Sequence, residues 1–236
     1  MLVRRISCEH GRKLLTGDVT VGRKIRFTPF VSTRTGYDTV FRMMRSNGVN
    51  GISIGSVRGF LTDHYHPAKS IVNLSESTYG NNSVAAVAVA AHEMGHVMQK
   101  QEGYGLYKLR TALVPVVNFG SRLAMPLVLV GLLLDWYSMS ANTDIGFKVA
   151  MLGVILYGAS LLFALVTLPV EINASKRAGQ MLITEGILAP DELPAAKEVL
   201  SAAALTYLAS LLTSLVYFLR FLVRVLTMFG RRDNRR

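Results

Sequence analysis

Residues 83–99 read SVAAVAVAAHEMGHVMQ, and within them His92, Glu93 and His96 carry the spacing H-E-x-x-H. On an α-helix, positions four apart lie about one turn apart on one face. Two imidazoles so placed can close on one Zn2+, which accepts nitrogen ligands in a tetrahedral shell. Glu93, directly after the first histidine, is placed to take a proton from an attacking water. The flanks predict a helix, with Asn82 or Ser83 as N-cap, an alanine- and valine-rich run, and Gly95 leaving room for close packing. Two core histidines four apart would give the same pattern, so the rest of the chain has to decide.

Working outward, hydropathy comes first. The chain has 236 residues, half of them apolar. Residues 149–170 form 22 consecutive uncharged positions between Lys148 and Glu171, and residues 199–219 form 21 more between Glu198 and Arg220. Each is long enough to cross a bilayer. A third apolar region, 111–134, is interrupted only by Arg122. We therefore expect an integral, multi-pass membrane protein with two to three spanning helices. Pro115 and Pro126 predict kinks or breaks in the first span. Arg122 is expected at the membrane surface rather than in a polar cavity, with Trp136 and Tyr137 in the aromatic belt at the far face. The first 35 residues are polar and basic, without the apolar core of a cleavable signal peptide. Cys8 is the only cysteine, which excludes an intramolecular disulfide.

The net charge of +11 invites a nucleic-acid reading. That reading needs a basic patch interleaved with aromatics or a recognition helix, and the sequence offers neither. Lys and Arg gathered on the cytoplasmic side of membrane segments explain the excess. Residues 1–110 hold 15 Lys/Arg against 7 Asp/Glu, whereas the loop 135–147 holds two Asp and no Lys or Arg. The N-terminal part is thus expected in the cytoplasm, on the inner face of the cell membrane, and the 135–147 loop outside.

Residues 1–35 form an atypical basic segment; its Cys8, Glu9 and His10 are potential ligands, but three adjacent residues do not easily converge on one ion. Residues 39–46 have apolar positions at helical spacing before the stop Asn47-Gly48. Residues 49–57 alternate as a short strand would. Residues 59–73, GFLTDHYHPAKSIVN, read as a hairpin turning at His66-Pro67-Ala68-Lys69, with a second arm from Ser70 to Leu74. That hairpin is either a solvated tip or an edge strand beside the metal site. In the second case it pairs with an extended peptide and offers His64 or Tyr65 to the developing oxyanion.

Glu171 is the candidate third ligand. Two membrane crossings separate it from His96, and an even number returns the chain to its starting side. All three ligands can then meet at one membrane face, which Lys176 and Arg177 place in the cytoplasm. The competing reading makes Glu171 an acidic residue in the first turn of a new helix after Pro169. Residues 179–198 predict a soluble helix, a turn at 186–191 and a further helix start. The segment 201–229 is apolar, then amphipathic, and ends in a basic tail; whether it crosses fully is open.

The linked motifs TDHYHP, IVNLS, SVAAVAVAAHEMGHVMQ, ALVPVVNFGSRLAMPL and LPVEINASKRA closely resemble the YugP-type membrane zinc metallopeptidases, the neutral zinc metallopeptidase family, over roughly residues 36–229. The layout also resembles the HtpX and CAAX-protease group of gluzincins. The resemblance implies His92 and His96 as zinc ligands, Glu93 as catalytic base and Glu171 as third ligand. Three features depart from it. His66 and Asn173 stand where the family usually has Asp, and Ser175 stands where many gluzincins carry the Asp that orients a zinc-bound histidine. Family members also usually begin with a membrane segment, which residues 1–35 lack.

The expected architecture is an α+β membrane protein. After residues 1–35 come a cytoplasmic zinc-helix domain (36–110), two transmembrane helices (111–170), a cytoplasmic segment with the third ligand (171–200) and a C-terminal apolar or amphipathic helix with a basic tail (201–236). The expected activity is Zn2+-dependent endoproteolysis of membrane or membrane-associated proteins at the cytoplasmic face. The implied partners are a protein or peptide substrate and the bilayer, with no nucleic acid. Two rivals remain. An intramembrane site-2-type protease would put the motif inside a spanning helix, but only about ten apolar residues precede His92 and no later span carries a suitable L-D-G. A membrane scaffold or chaperone-like protein retaining structural zinc would share the ligands without the chemistry.

Overall fold

The computed structural model describes residues 32–137 and 144–233. Cys8, Glu9, His10 and nearly all of the basic segment 1–35 lie outside the described residues, as do 138–143 of the loop and the last three residues of the tail. The described chain runs α1 (Gly36–Ser46), β1 (Ser53–Val57), β2 (His64–His66), β3 (Ile71–Ser75), α2 (Glu76–Tyr79), α3 (Val84–Gln101), α4 (Gly105–Tyr137), α5 (Ile145–Thr184) and α6 (Leu193–Asp233). It divides into two compact units.

The first unit comprises residues 32–104 and 170–206. Its helices start where side chains satisfy the backbone donors that a first turn leaves over. Thr35 and Asp38 close a reciprocal capping box on α1, and Ser83 Oγ accepts from the Ala86 N–H on α3. Helix α3 ends as sharply as it begins. Gly103 takes φ +68°, its N–H donates to the Lys100 carbonyl, and the Tyr104 N–H donates to that of Gln99. This is a Schellman close, and the left-handed φ is why glycine stands there.

The predicted hairpin is present: β2 pairs antiparallel with β3, Tyr65 opposite Val72. β3 also pairs with β1, in parallel, giving the order β1-β3-β2. Successive strand residues face opposite sides of a sheet. Tyr65, Val72 and Leu74 are accordingly buried, while His64 is exposed. The buried face packs with Val40 and Met43 of α1, Val87, Met94 and Val97 of α3, and Ala178 and Leu182 of α5. Alanine supplies much of α3, so little side-chain bulk holds its neighbours away.

The second unit comprises residues 105–169 and 207–233. Small residues bring its backbones together: a β-carbon on Gly131 would meet the Gly146 carbonyl at 2.5 Å, and one on Gly153 the Ala124 carbonyl at 2.6 Å. Large apolar side chains, including Phe119, Leu133 and Ile155, are left pointing outward. Helices α4, α5 and α6 are each long and apolar enough to cross a membrane. Pro115 and Pro126 do not break the first span: α4 runs through both as one helix. Arg122 is exposed on it. Likewise α5 runs through Pro169, so Glu171 lies inside a continuous helix rather than in the first turn of a new one. The fold is thus mixed, helical with one small sheet, as the α+β expectation had it.

Candidate metal centre

His92 and His96 stand one turn apart on α3, with ring centroids 4.8 Å apart. Glu171 comes to them from α5. Its Oε2 lies 3.1 Å from His92 Nε2 and 3.5 Å from His96 Nε2, and the carboxylate is buried. The approach follows from a glycine. Gly95 meets the Ala174 backbone so closely that a β-carbon would collide with its carbonyl. Each of these residues lies three positions after a ligand, so the contact sets the carboxylate one turn away against the imidazoles.

The donor set fits a divalent cation. Nitrogen and oxygen ligands about 2.0–2.2 Å from a tetrahedral zinc lie about 3.3 Å from one another, which the 3.1 and 3.5 Å separations bracket. One ligand atom from each of His92, His96 and Glu171 lies within 4.8 Å of the other two. Two neutral imidazoles and one carboxylate leave such an ion a position for water.

Both imidazoles are held at the far nitrogen. His92 Nδ1 lies 3.1 Å from Ser175 Oγ, whose own hydroxyl is directed at the Leu200 carbonyl at 3.5 Å. Ser175 therefore occupies the orienting place, with a hydroxyl instead of a carboxylate. His96 Nδ1 lies 3.0 Å from Gln99 Oε1. Gln99 is a residue that sequence reasoning missed. Its one sequence signal was the i+3 spacing from His96; its meaning depends on Val170 and Asn173 of α5, which accept from Gln99 Nε2 at 2.8 and 2.9 Å.

Glu93 is buried beside the histidines and accepts from the Tyr65 backbone N–H. Burial pushes its carboxyl up to about 7; the pull of His92 opposes this, and the charges of Asp63 and Glu171 add to it. Asp63 is itself held by the Ser75 N–H and hydroxyl, both at 2.8 Å. His64 stands apart from this cluster. Exposed on the sheet, its ring meets the Thr62 carbonyl at 2.8 Å and the Asn73 side-chain amide at 3.1 Å. Tyr65 is buried, with Lys100 Nζ 5.7 Å from its ring centroid. Lys100 also donates to the Pro67 carbonyl at 2.6 Å, tying the hairpin turn to the end of α3.

Across residues 23–226 the sequence matches the family described as "Putative neutral zinc metallopeptidase". The chain belongs to that family. The chain is also 45% identical, over 203 residues, to "Putative membrane protease YugP" of Bacillus subtilis (strain 168), covering 86% of this chain and 85% of that one. No solved structure matches it.

Proposed function

We propose that this chain is a membrane-embedded zinc endopeptidase. His92, His96 and Glu171 would hold Zn2+, and it cleaves membrane or membrane-associated proteins at the cytoplasmic face of the cell membrane. The observation that carries the reading is the convergence of one buried carboxylate oxygen on both imidazoles. The excess of Lys and Arg in residues 1–110 supports the cytoplasmic orientation. The three long apolar helices support a multi-pass topology, with residues 36–110 and 171–200 together bearing the site.

When bound, zinc lowers the pKa of a water to about 7 and polarises the scissile carbonyl. Glu93, whose carboxyl is held near neutrality by burial, accepts the proton of the attacking water and delivers it to the leaving amine. Ser175 and Gln99 fix the planes of His92 and His96. Strand β2 lies at the edge of the sheet, where an extended peptide can add its backbone hydrogen bonds. Tyr65, whose ring packs in the core, is a proposed substrate contact through its backbone only. His64, on the outward face, is the second proposed contact and would reach substrate only beyond the strand edge.

Purified wild type and Glu93→Gln, assayed for metal content and casein cleavage, test the proposal. About one zinc per chain in both, with cleavage only in wild type, supports it. Equal cleavage by the two would overturn the role of Glu93. Zinc without Glu93-dependent cleavage of any substrate would favour the scaffold alternative.

A further inference from the structure

A histidine ligates a metal only through the nitrogen that carries no proton, so its tautomer decides whether it binds. At His96 that choice traces back to a residue on α5. Amide side chains present oxygen or nitrogen according to their neighbours, and here one neighbour admits no choice. The guanidinium of Arg177 has donors only. Its Nε lies 2.8 Å from Asn173 Oδ1, and a flipped amide would set donor against donor. The same oxygen accepts from Gln99 Nε2 at 2.9 Å, and that nitrogen also donates to the Val170 carbonyl at 2.8 Å. With its nitrogen committed to two acceptors, Gln99 turns Oε1 to His96 Nδ1 at 3.0 Å. An amide oxygen only accepts, so Nδ1 carries the proton, and Nε2, facing Glu171 Oε2 at 3.5 Å, is the nitrogen left for an ion placed between them.

We infer that Arg177 and Asn173 are positioning residues that act through Gln99 to hold His96 in its Nδ1–H tautomer, the form that ligates through Nε2. This rests on the reading of His96 as a metal ligand. Gln99 is wholly buried, which keeps water from substituting for its partners. Arg177 is itself anchored, its Nη1 donating to Glu102 Oε1 at 2.6 Å. Every hydrogen bond of the relay is made without the metal, so the Nδ1 side of the ring is fixed before an ion arrives. Asp in place of Asn173 would still accept from both donors; Leu would accept from neither.

The test uses full-length protein in detergent micelles, labelled with 15N-histidine and stripped of metal, at a pH of about 8.5, where free imidazole is neutral. Two-bond 1H–15N correlations report the tautomer of each ring, and His96→Asn identifies the signal. Wild type and Asn173→Asp are expected to show Nδ1–H at His96; Asn173→Leu and Gln99→Leu are expected to show a mixture or the other tautomer. Zinc competition against a fluorescent chelator should give affinities about 10–100-fold weaker for the two Leu variants and within about threefold of wild type for Asn173→Asp. An Nε2–H tautomer in wild type, or an unchanged Nδ1–H signal in both Leu variants, would overturn the relay. The wild-type spectrum decides the first of these even if a variant fails to fold. Wild type with the expected tautomer but no zinc binding would sink the metallopeptidase mechanism and leave the relay standing.

Discussion

Gly95 of α3 lies against the backbone carbonyl of Ala174 in α5, with no space for a β-carbon between them. The two helices that share the candidate ligands thus touch backbone to backbone, one turn from those ligands. Gly95→Ala would gain the higher helix propensity of alanine, about 1 kcal/mol, yet the methyl group must push the helices apart. Overpacking of this kind typically costs about 1–3 kcal/mol. Because Glu171 rides on the displaced helix, zinc affinity is expected to fall by about tenfold or more, the order seen when a ligand's support is lost. Chelator competition and thermal unfolding of the variant measure both; unchanged values in the two would show that the contact does not set the ligand spacing.

Ser175 meets His92 with a neutral oxygen. Removing it in Ser175→Ala should weaken zinc binding by about 10–100-fold, while Ser175→Asp should bind at least as tightly as wild type, since a carboxylate is a stronger acceptor for an imidazole N–H. If the alanine variant held zinc as wild type does, the hydroxyl would have no orienting role.

Metal removal should cost stability. A ligand that binds only the folded state at 100 times its dissociation constant contributes about 2.7 kcal/mol, so chelation should lower the unfolding midpoint and added zinc should restore it. Glu93→Gln should respond to zinc in the same sense. In metal-free protein it should also unfold at a higher temperature than wild type, because it removes a buried carboxylate whose burial opposes ionisation. A metal-free Glu93→Gln protein less stable than wild type at pH 8 would contradict that.

The capping box on α1 gives a pH dependence well away from the metal. The Thr35 hydroxyl, and then its backbone N–H, hold the Asp38 carboxyl below its ordinary pKa. A carboxylate shifted down stabilises the fold above its unfolded pKa of about 3.9 and loses that contribution as pH falls through the folded value. Thr35→Ala should cost about 1 kcal/mol at neutral pH. The midpoint gap between wild type and Asp38→Asn should be open at pH 6 and shrink as the solution is acidified below 4. A gap that widens in acid would reverse the assigned sign.

Much of the site was legible because its signals are local. The H-E-x-x-H spacing, the Ser83 cap and the hairpin turn each depend on residues close in sequence. Glu171 became legible through topology, since its place after two apolar stretches let it return to the histidines. The continuity of α5 through Pro169 was not legible. A proline reads as a break, and whether a helix tolerates it depends on what surrounds the freed carbonyl. Gln99 escaped for a related reason: an amide on a helix looks like any polar residue until the facing backbone is known. The parallel pairing of β1 with β3 had no local signal, because it joins strands separated by the whole first arm of the hairpin.

The partners behind the two imidazoles, an alcohol at His92 and an amide at His96, have a consequence for charge. Neither is ionised, so a bound dication would be offset by Glu171, and by Glu93 whenever that group has given up its proton. A carboxylate in place of Ser175 would have added one more negative charge beside the ion. Zinc in this setting would keep more of its electron-withdrawing power, and His92, His96 and Glu171 would hold it through geometry more than through accumulated anions.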